Sequence, residues 1–122
     1  MKIIFMGTPD FACPILEALN EKYEVSLVIS QPNRSKKKGQ YIDTPVAALA
    51  KSLGLNLFQP ETIKEHFDYI KSFEADVLVT AAYGQYVPTK ILNLFKKCLN
   101  SLILIKVLSL TTQDIGLVTQ SK

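Results

Sequence analysis

Four short runs of β-branched and apolar residues, separated by stretches with helical spacing, constrain this 122-residue chain more than any other feature. Ile3-Ile4-Phe5-Met6 is apolar on both alternating faces, as in a strand covered on two sides, and Gly7-Thr8-Pro9-Asp10 ends it sharply. Phe11, Ile15, Ala18 and Leu19 then recur at helical spacing, with Pro14 acceptable only in a first turn, which predicts a helix over about 11–21. Val25-Ser26-Leu27-Val28-Ile29 reads as the second strand. A second helix starts at Pro45, has a natural stop at Gly54, and leads into a third strand at Leu55-Asn56-Leu57-Phe58. Between Thr62 and Phe73 the positions Ile63, Phe67 and Ile70 alternate with Lys64, Glu65, Asp68 and Lys71, the pattern of a half-exposed helix. Residues Ala75 to Ala81 form the fourth run, apolar at its centre.

Strands alternating with helices predict a parallel, doubly wound α/β sheet, because parallel neighbours need a crossover and the helix supplies it. Ligands in such sheets lie beyond the carboxyl ends of the strands. Those ends are Gly7-Thr8-Pro9, Gln31-Pro32-Asn33 and Ala82-Tyr83-Gly84-Gln85. Gly7 and Gly84 either let a backbone approach a ligand or simply accommodate tight turns. No phosphate-cradling lysine follows Gly7, and a single glycine there also fails the dinucleotide fingerprint.

A composition of 48% hydrophobic and 20% charged residues suits one compact core. The formal charge of +3 is local: Arg34, Lys36, Lys37 and Lys38, less Asp43, account for all of it. They lie in a stretch of about fourteen residues after Gln31 without apolar period, which reads as a long exposed loop. With Tyr41 nearby, such a segment can neutralise phosphates and stack on an unpaired base; it can equally be a solvated face. Cys13 and Cys98 stand far apart, so no disulfide framework, zinc site or other metal is expected, Cys13 reads as a small apolar filler, and a reducing cytoplasm fits. No secretory leader is seen, and the apolar stretch Leu102 to Leu110, interrupted by Lys106, falls short of the about 20 residues that span a bilayer, so a soluble protein without membrane association is expected.

Several blocks in order resemble the methionyl-tRNA formyltransferase family: Ile4-Phe5-Met6-Gly7-Thr8-Pro9-Asp10-Phe11-Ala12, Gln31-Pro32-Asn33-Arg34, Thr44-Pro45-Val46, Phe58-Gln59-Pro60-Glu61, and Ala82-Tyr83-Gly84-Gln85 with Pro88. The resemblance implies a Rossmann-like formyltransferase domain, a parallel sheet with helices on both faces, which in the family continues into further strands and a C-terminal barrel. It implies transfer of a formyl group from 10-formyltetrahydrofolate to the amino group of methionyl initiator tRNA in translation initiation, by a cytoplasmic monomer. By the same resemblance, Arg34, Lys36, Lys37 and Lys38 face the tRNA, while Gly7, Tyr83, Gly84 and Gln85, with Tyr86 following, line the folate pocket. For the last group an ordinary strand-to-helix turn with a surface tyrosine is the alternative. Cys98-Leu99-Asn100 matches the start of the family's catalytic motif, so Asn100 takes the role of the catalytic asparagine. The family continues with a histidine and a Ser-Leu-Leu-Pro element, where this chain has Ser101-Leu102-Ile103-Leu104. The only histidine, His66, reads as a solvated surface residue, and Asp114 has no matching motif around it. The chain is therefore expected to hold only the N-terminal part of the domain, over 1–100, and to be a poor catalyst or none.

Two other readings stay open on the sequence: a non-catalytic tRNA- or nucleotide-binding module, and a folate-dependent formyltransferase acting on sugar nucleotides or purine precursors. The triple lysine favours the tRNA enzyme, since small substrates have no need of such an arm. Residues 101–122 hold no aromatic, proline or histidine, whereas the preceding hundred hold every aromatic residue of the chain. A strand over Leu102–Leu110 of accidental register is the expectation for this tail, and a truncated sheet that exposes an edge and part of its core is expected to be marginally stable and prone to aggregate. The expectation from this change in composition is that a frameshift or gene lesion has replaced the native continuation with out-of-frame sequence. The encoding DNA beyond the Asn100 codon is then expected to carry a His-x-Ser-Leu-Leu-Pro-like continuation in another forward frame, and sequencing that finds none contradicts the frameshift.

Overall fold

The computed structural model describes residues 1–37 and 40–100. In chain order its strands are β1 (Lys2–Gly7), β2 (Glu24–Ile29), β3 (Arg34–Lys37), β4 (Gln40–Ile42), β5 (Leu57–Phe58), β6 (Val77–Ala81) and β7 (Lys97–Asn100). The α-helices are α1 (Cys13–Lys22), α2 (Pro45–Ser52), α3 (Phe67–Lys71) and α4 (Thr89–Leu92). Five strands form one sheet in the order β5-β2-β1-β6-β7, and every pairing in it is parallel. The chain builds outward from β1 through β2 to β5, then crosses to the other side of β1 for β6 and β7. The direction of winding thus reverses between β1 and β6, which places a crevice between their carboxyl ends.

The double apolar character of β1 is used on two faces. Ile3 and Phe5 join Ile15, Leu16 and Leu19 of α1 and Val46 and Ala50 of α2 in one core cluster. Ile4 and Met6 face the other way, into a cluster with Ile70 of α3, Ile91 of α4, Ile63 and Tyr83. Burying a side chain the size of Phe5, which is fully enclosed, contributes about 1.5–3 kcal/mol, so the middle strand anchors both layers. The sequence-predicted parallel sheet with helices on both faces is the architecture observed.

The elements differ from expectation in several places. The stretch read as a long exposed loop contains an antiparallel hairpin, with Arg34 opposite Ile42 and Ser35 opposite Tyr41. A solvated two-stranded ribbon is held by backbone hydrogen bonds and needs no apolar face, so charged residues hide it from a periodicity reading. The first helix is preceded by a 3-10 turn, Asp10–Ala12, and the helix expected over Thr62–Phe73 splits into a 3-10 segment, Ile63–His66, followed by the short α3. The third strand contracts to Leu57–Phe58. Neither α4 nor β7 was anticipated: α4 buries only Ile91, and β7 forms because parallel pairing with β6 sets Val77 against Lys97 and Thr80 against Asn100. Gly54 does end the second helical segment, in a left-handed conformation with φ of +72°. Lys38, Gly39, Asp114 and the strand expected over Leu102–Leu110 lie outside the described residues.

Gly7 sits where β1 meets both the 3-10 turn and β6. A Cβ there would lie 2.8 Å from Phe5 Cε2, 3.0 Å from the Ala81 carbonyl oxygen and 3.2 Å from Ala12 Cβ. Gly7→Ala is therefore expected to destabilise the fold by about 1–3 kcal/mol through overpacking, read as a lowered urea midpoint. An unchanged midpoint would show that the strand end has room that this packing denies it.

Candidate functional site

The carboxyl ends of the strands carry polar residues that join one another. Thr8, just past β1, uses one hydroxyl twice: Oγ1 donates to the Tyr83 carbonyl at 2.7 Å and accepts the Gln31 N–H at 3.3 Å. The tips of β1, β2 and β6 therefore meet at a single oxygen. Gln85 extends the rim. Its Nε2 donates to Gln31 Oε1 at 2.7 Å and to the Pro60 carbonyl at 3.1 Å, while its Oε1 accepts the Ile63 N–H at 3.0 Å. Gln59, beyond β5, donates from Nε2 to the Gln31 carbonyl at 3.0 Å and to Asn33 Oδ1 at 2.6 Å. Asn33 in turn donates to Asp43 Oδ1 at 2.8 Å, and Asp43 is bridged by Lys51 at 3.0 Å. Buried below them, the Ser30 and Thr44 hydroxyls share a hydrogen bond of 2.7 Å, and Thr44 Oγ1 caps α2 by accepting the Ala47 N–H. A side-chain oxygen at this position satisfies an N–H that the helix itself leaves unpaired.

The residues singled out from the sequence fall into three groups on this frame. Gly7, Tyr83, Gly84 and Gln85 all lie around the β1–β6 crevice, but the structure gives each a packing or bonding role. Gly7 is required by close packing. Gly84 has φ of +101°, and a Cβ on it would come within 2.7 Å of Gln31 Nε2. Tyr83 is not a surface residue: it is 4% exposed and packs in the second core cluster, whereas Tyr86 is 80% exposed. Ala82 also adopts a positive φ, of 56°, a strained conformation for a residue with a Cβ. Asn100 ends β7 beside Thr80, at the same edge as the Gly7–Ala81 pair of β1 and β6. Arg34, Lys36 and Lys37 stand on β3, which leaves the sheet after the β2 tip; Lys38 is outside the described residues.

Sequence reasoning quoted Thr8, Gln31, Asn33, Asp43 and Gln59 without assigning them work. The signal was available: each is a polar residue close to the end of an apolar run or next to the basic segment. The pairings were not, because Gln85 and Gln31 are far apart in the chain. His66 is half-buried and meets the Phe58 ring edge-on at 4.9 Å, so it is less solvated than expected and stands apart from the rim. Cys13 packs partly buried against the first cluster, as expected, and its thiol pKa is raised by burial and then by Asp10 and Glu17.

Two depressions open on this edge. One of about 390 Å³ lies between Thr8-Pro9-Asp10 and Ile42-Asp43-Thr44. The other, about 360 Å³, is lined by residues including Ile63, Lys64, Gln85, Tyr86 and Pro88. A further hollow of about 410 Å³, bordered by Lys2, Glu24 and Asn56, lies at the opposite ends of the strands, away from the polar rim. Among the described residues no group of three or more His, Cys, Asp or Glu could hold a metal ion, and no helix is long and apolar enough to cross a membrane.

Comparison with known proteins adds a family-level finding. A family model described as formyl transferase matches residues 1–101. The chain is 44% identical over 97 residues to the methionyl-tRNA formyltransferase of Mycoplasmopsis pulmonis, covering 79% of this chain and 34% of that protein. It is 47% identical over 96 residues to that of Macrococcus caseolyticus, covering 76% and 31%. With that of Natranaerobius thermophilus it shares 44% over 98 residues, covering 77% and 31%. The chain spans about a third of the length of these curated relatives.

Tyr83 provides a handle on the packing behind the crevice, since its hydroxyl is buried without a hydrogen-bond partner. Burial pushes its pKa up from 10.0 to about 12. The neutral phenol is favoured in the folded state, so this contribution to stability is whole below pH 10 and lost as pH rises from 10 through about 12. Tyr83→Phe removes an unsatisfied polar group and is expected to leave stability at neutral pH unchanged or raised by about 1 kcal/mol. It is also expected to remove part of the alkaline loss. Urea melts at neutral pH and about pH 11 check both, and a variant that loses stability at neutral pH contradicts the unpartnered hydroxyl.

Proposed function

The chain belongs to the formyl transferase family, and on that premise we propose that it carries the N-terminal third of a methionyl-tRNA formyltransferase. What carries the reading is the shared printed name of relatives 40–47% identical over its first hundred or so residues. Supporting it, the matching blocks Gly7-Thr8-Pro9, Gln31-Pro32-Asn33, Gln59-Pro60 and Tyr83-Gly84-Gln85 fall on one rim, joined by Thr8, Gln31, Gln59 and Gln85.

A folate-type formyl donor, 10-formyltetrahydrofolate in this reading, supplies the activated one-carbon group. The depression beside Gln85 fits such a molecule in chemistry: Pro88 offers apolar wall, Tyr86 an exposed ring, and Lys64 a cation for a carboxylate. Gln85 lines it, Gly84 precedes it in the turn after β6, and Gly7 and Tyr83 pack at the neighbouring strand tips. Asn100 is the group for the formyl oxygen: its amide donates a hydrogen bond to the charge that develops when the methionyl amine attacks the formyl carbon. An amide cannot take the amine proton at neutral pH, and the chain's only histidine, His66, packs against Phe58 instead. Domain organisation follows: residues 1–100 form the opening of the catalytic domain, and residues 101–122 do not continue its motif. Arg34, Lys36 and Lys37 on the hairpin, together with Lys38, neutralise phosphates of the initiator tRNA, and the location is the cytoplasm.

The test combines turnover and binding. The chain alone is expected to give no formylation of methionyl initiator tRNA above background, yet to bind that tRNA with an affinity that falls with salt. Changing Lys36, Lys37 and Lys38 together to alanine is expected to flatten the dependence of log K on log salt by about two to three units, roughly one per phosphate contact. Turnover by the chain alone would overturn the proton argument. Binding that ignores the lysines would overturn the tRNA-facing role of the arm.

A further inference from the structure

Among the described residues, no side chain of the basic hairpin joins either core cluster. Its described side chains, Tyr41 and Ile42, are 71% and 49% exposed, and an open depression separates Ile42 from Thr8-Pro9-Asp10. A two-stranded ribbon is at best marginally stable by itself in water. Its direction must therefore be set where its two feet meet the sheet, and those feet are polar. The outgoing foot, Asn33, donates to the returning foot, Asp43, at 2.8 Å. Gln59 completes the clamp. Its one amide nitrogen reaches both the Gln31 carbonyl at the β2 tip and Asn33 Oδ1, so it ties the outgoing foot to the tips of β2 and β5.

We propose that Gln59 is a positioning residue for RNA binding: it fixes the exit direction of the basic hairpin by clamping Asn33 to the β2 tip, without touching RNA itself. The proposal rests on the tRNA-facing reading of the hairpin and adds to it the element that aims the arm. Asn33 spends Nδ2 on Asp43 and Oδ1 on Gln59, so its amide orientation is determined by both partners at once. Without Gln59, the outgoing foot loses its tie to the strand tips and is held only through Asp43, which stays on Lys51. Lysines on a swinging ribbon engage fewer phosphates at once, and ordering it on binding reduces affinity.

Uncharged initiator tRNA is the probe, titrated against the 122-residue chain at several salt concentrations. Gln59→Met keeps the length and adds no charge. It is expected to weaken binding on the order of threefold to tenfold, the range set by one lost hydrogen bond, and to shallow the salt slope. The matched control is Asn56→Ala, which removes a 3.1 Å hydrogen bond to the Ser26 carbonyl at the other end of the same strand pair. It is expected to lower stability and leave tRNA affinity unchanged. Asp43→Ala separates aim from charge: removing a carboxylate tightens tRNA binding if charge alone matters, whereas loss of the clamp weakens it. Amide exchange at Tyr41 and Ile42 is expected to quicken in Gln59→Met and stay as in the parent in Asn56→Ala. Lysine-dependent binding that Gln59→Met leaves intact overturns the clamp while the tRNA reading stands. Absence of lysine-dependent binding in the parent chain overturns that reading and the proposal with it.

Discussion

One hydroxyl holds the working edge of this sheet together. Thr8 Oγ1 is the only atom described that bonds to segments following both β2 and β6, the strands on either side of β1. Parallel strands present their carboxyl ends side by side, but nothing in the sheet fixes the loops that leave them. Here a threonine hydroxyl, acting as donor and acceptor at once, converts three separate exits into one rim. Gln85 and Gln59 then carry the connection to Ile63, Pro60 and the feet of the hairpin. Such bonds each contribute only about 0.5–1.5 kcal/mol net, so their importance lies less in stability than in fixing where loops point.

The core and the rim divide the work cleanly. Apolar alternation in β1 sends Ile3 and Phe5 to one helical layer and Ile4 and Met6 to the other, which determines the sheet and its order. The rim sits where that pattern stops. Ala82 and Gly84, both at positive φ, let the chain turn immediately after β6 so that Gln85 can fold back toward Gln31. The strain at Ala82 is thus located beside the crevice between β1 and β6, as expected where surrounding bonds over-determine a loop.

Much of the sheet was legible because short β-branched runs such as Val25 to Ile29 and Val77 to Ala81, bounded by turn residues, have few other uses than as buried strands. The hairpin was not, since Arg34 to Ile42 pairs through its backbone and leaves no alternation behind. Nor was β7, whose four residues include only two apolar ones and which depends on β6 for a partner. At the strand tips, sequence left Gly7 open between ligand approach and a tight turn, and the close packing of Phe5, Ala12 and Ala81 that requires a glycine there has no trace in the motif. The amides of Gln31, Gln59 and Gln85 were visible as residues and invisible as a network, because side-chain partners distant in sequence leave no periodic trace. The formyl transferase relationship itself was legible from the motif blocks, and the match over residues 1–101 agrees with them.

The connected rim is the claim on which the reading of donor side, RNA side and clamp all depend. It is tested most directly by hydrogen exchange at two backbone amides, Gln31 and Ile63, which donate to Thr8 Oγ1 and Gln85 Oε1. The account predicts that both are protected in the parent chain and that Thr8→Val, which keeps the shape and removes the hydroxyl, speeds exchange at Gln31 and, through Gln31 and Gln85, at Ile63. Rapid exchange at both amides in the parent, or a Thr8→Val profile identical to it, would contradict the account.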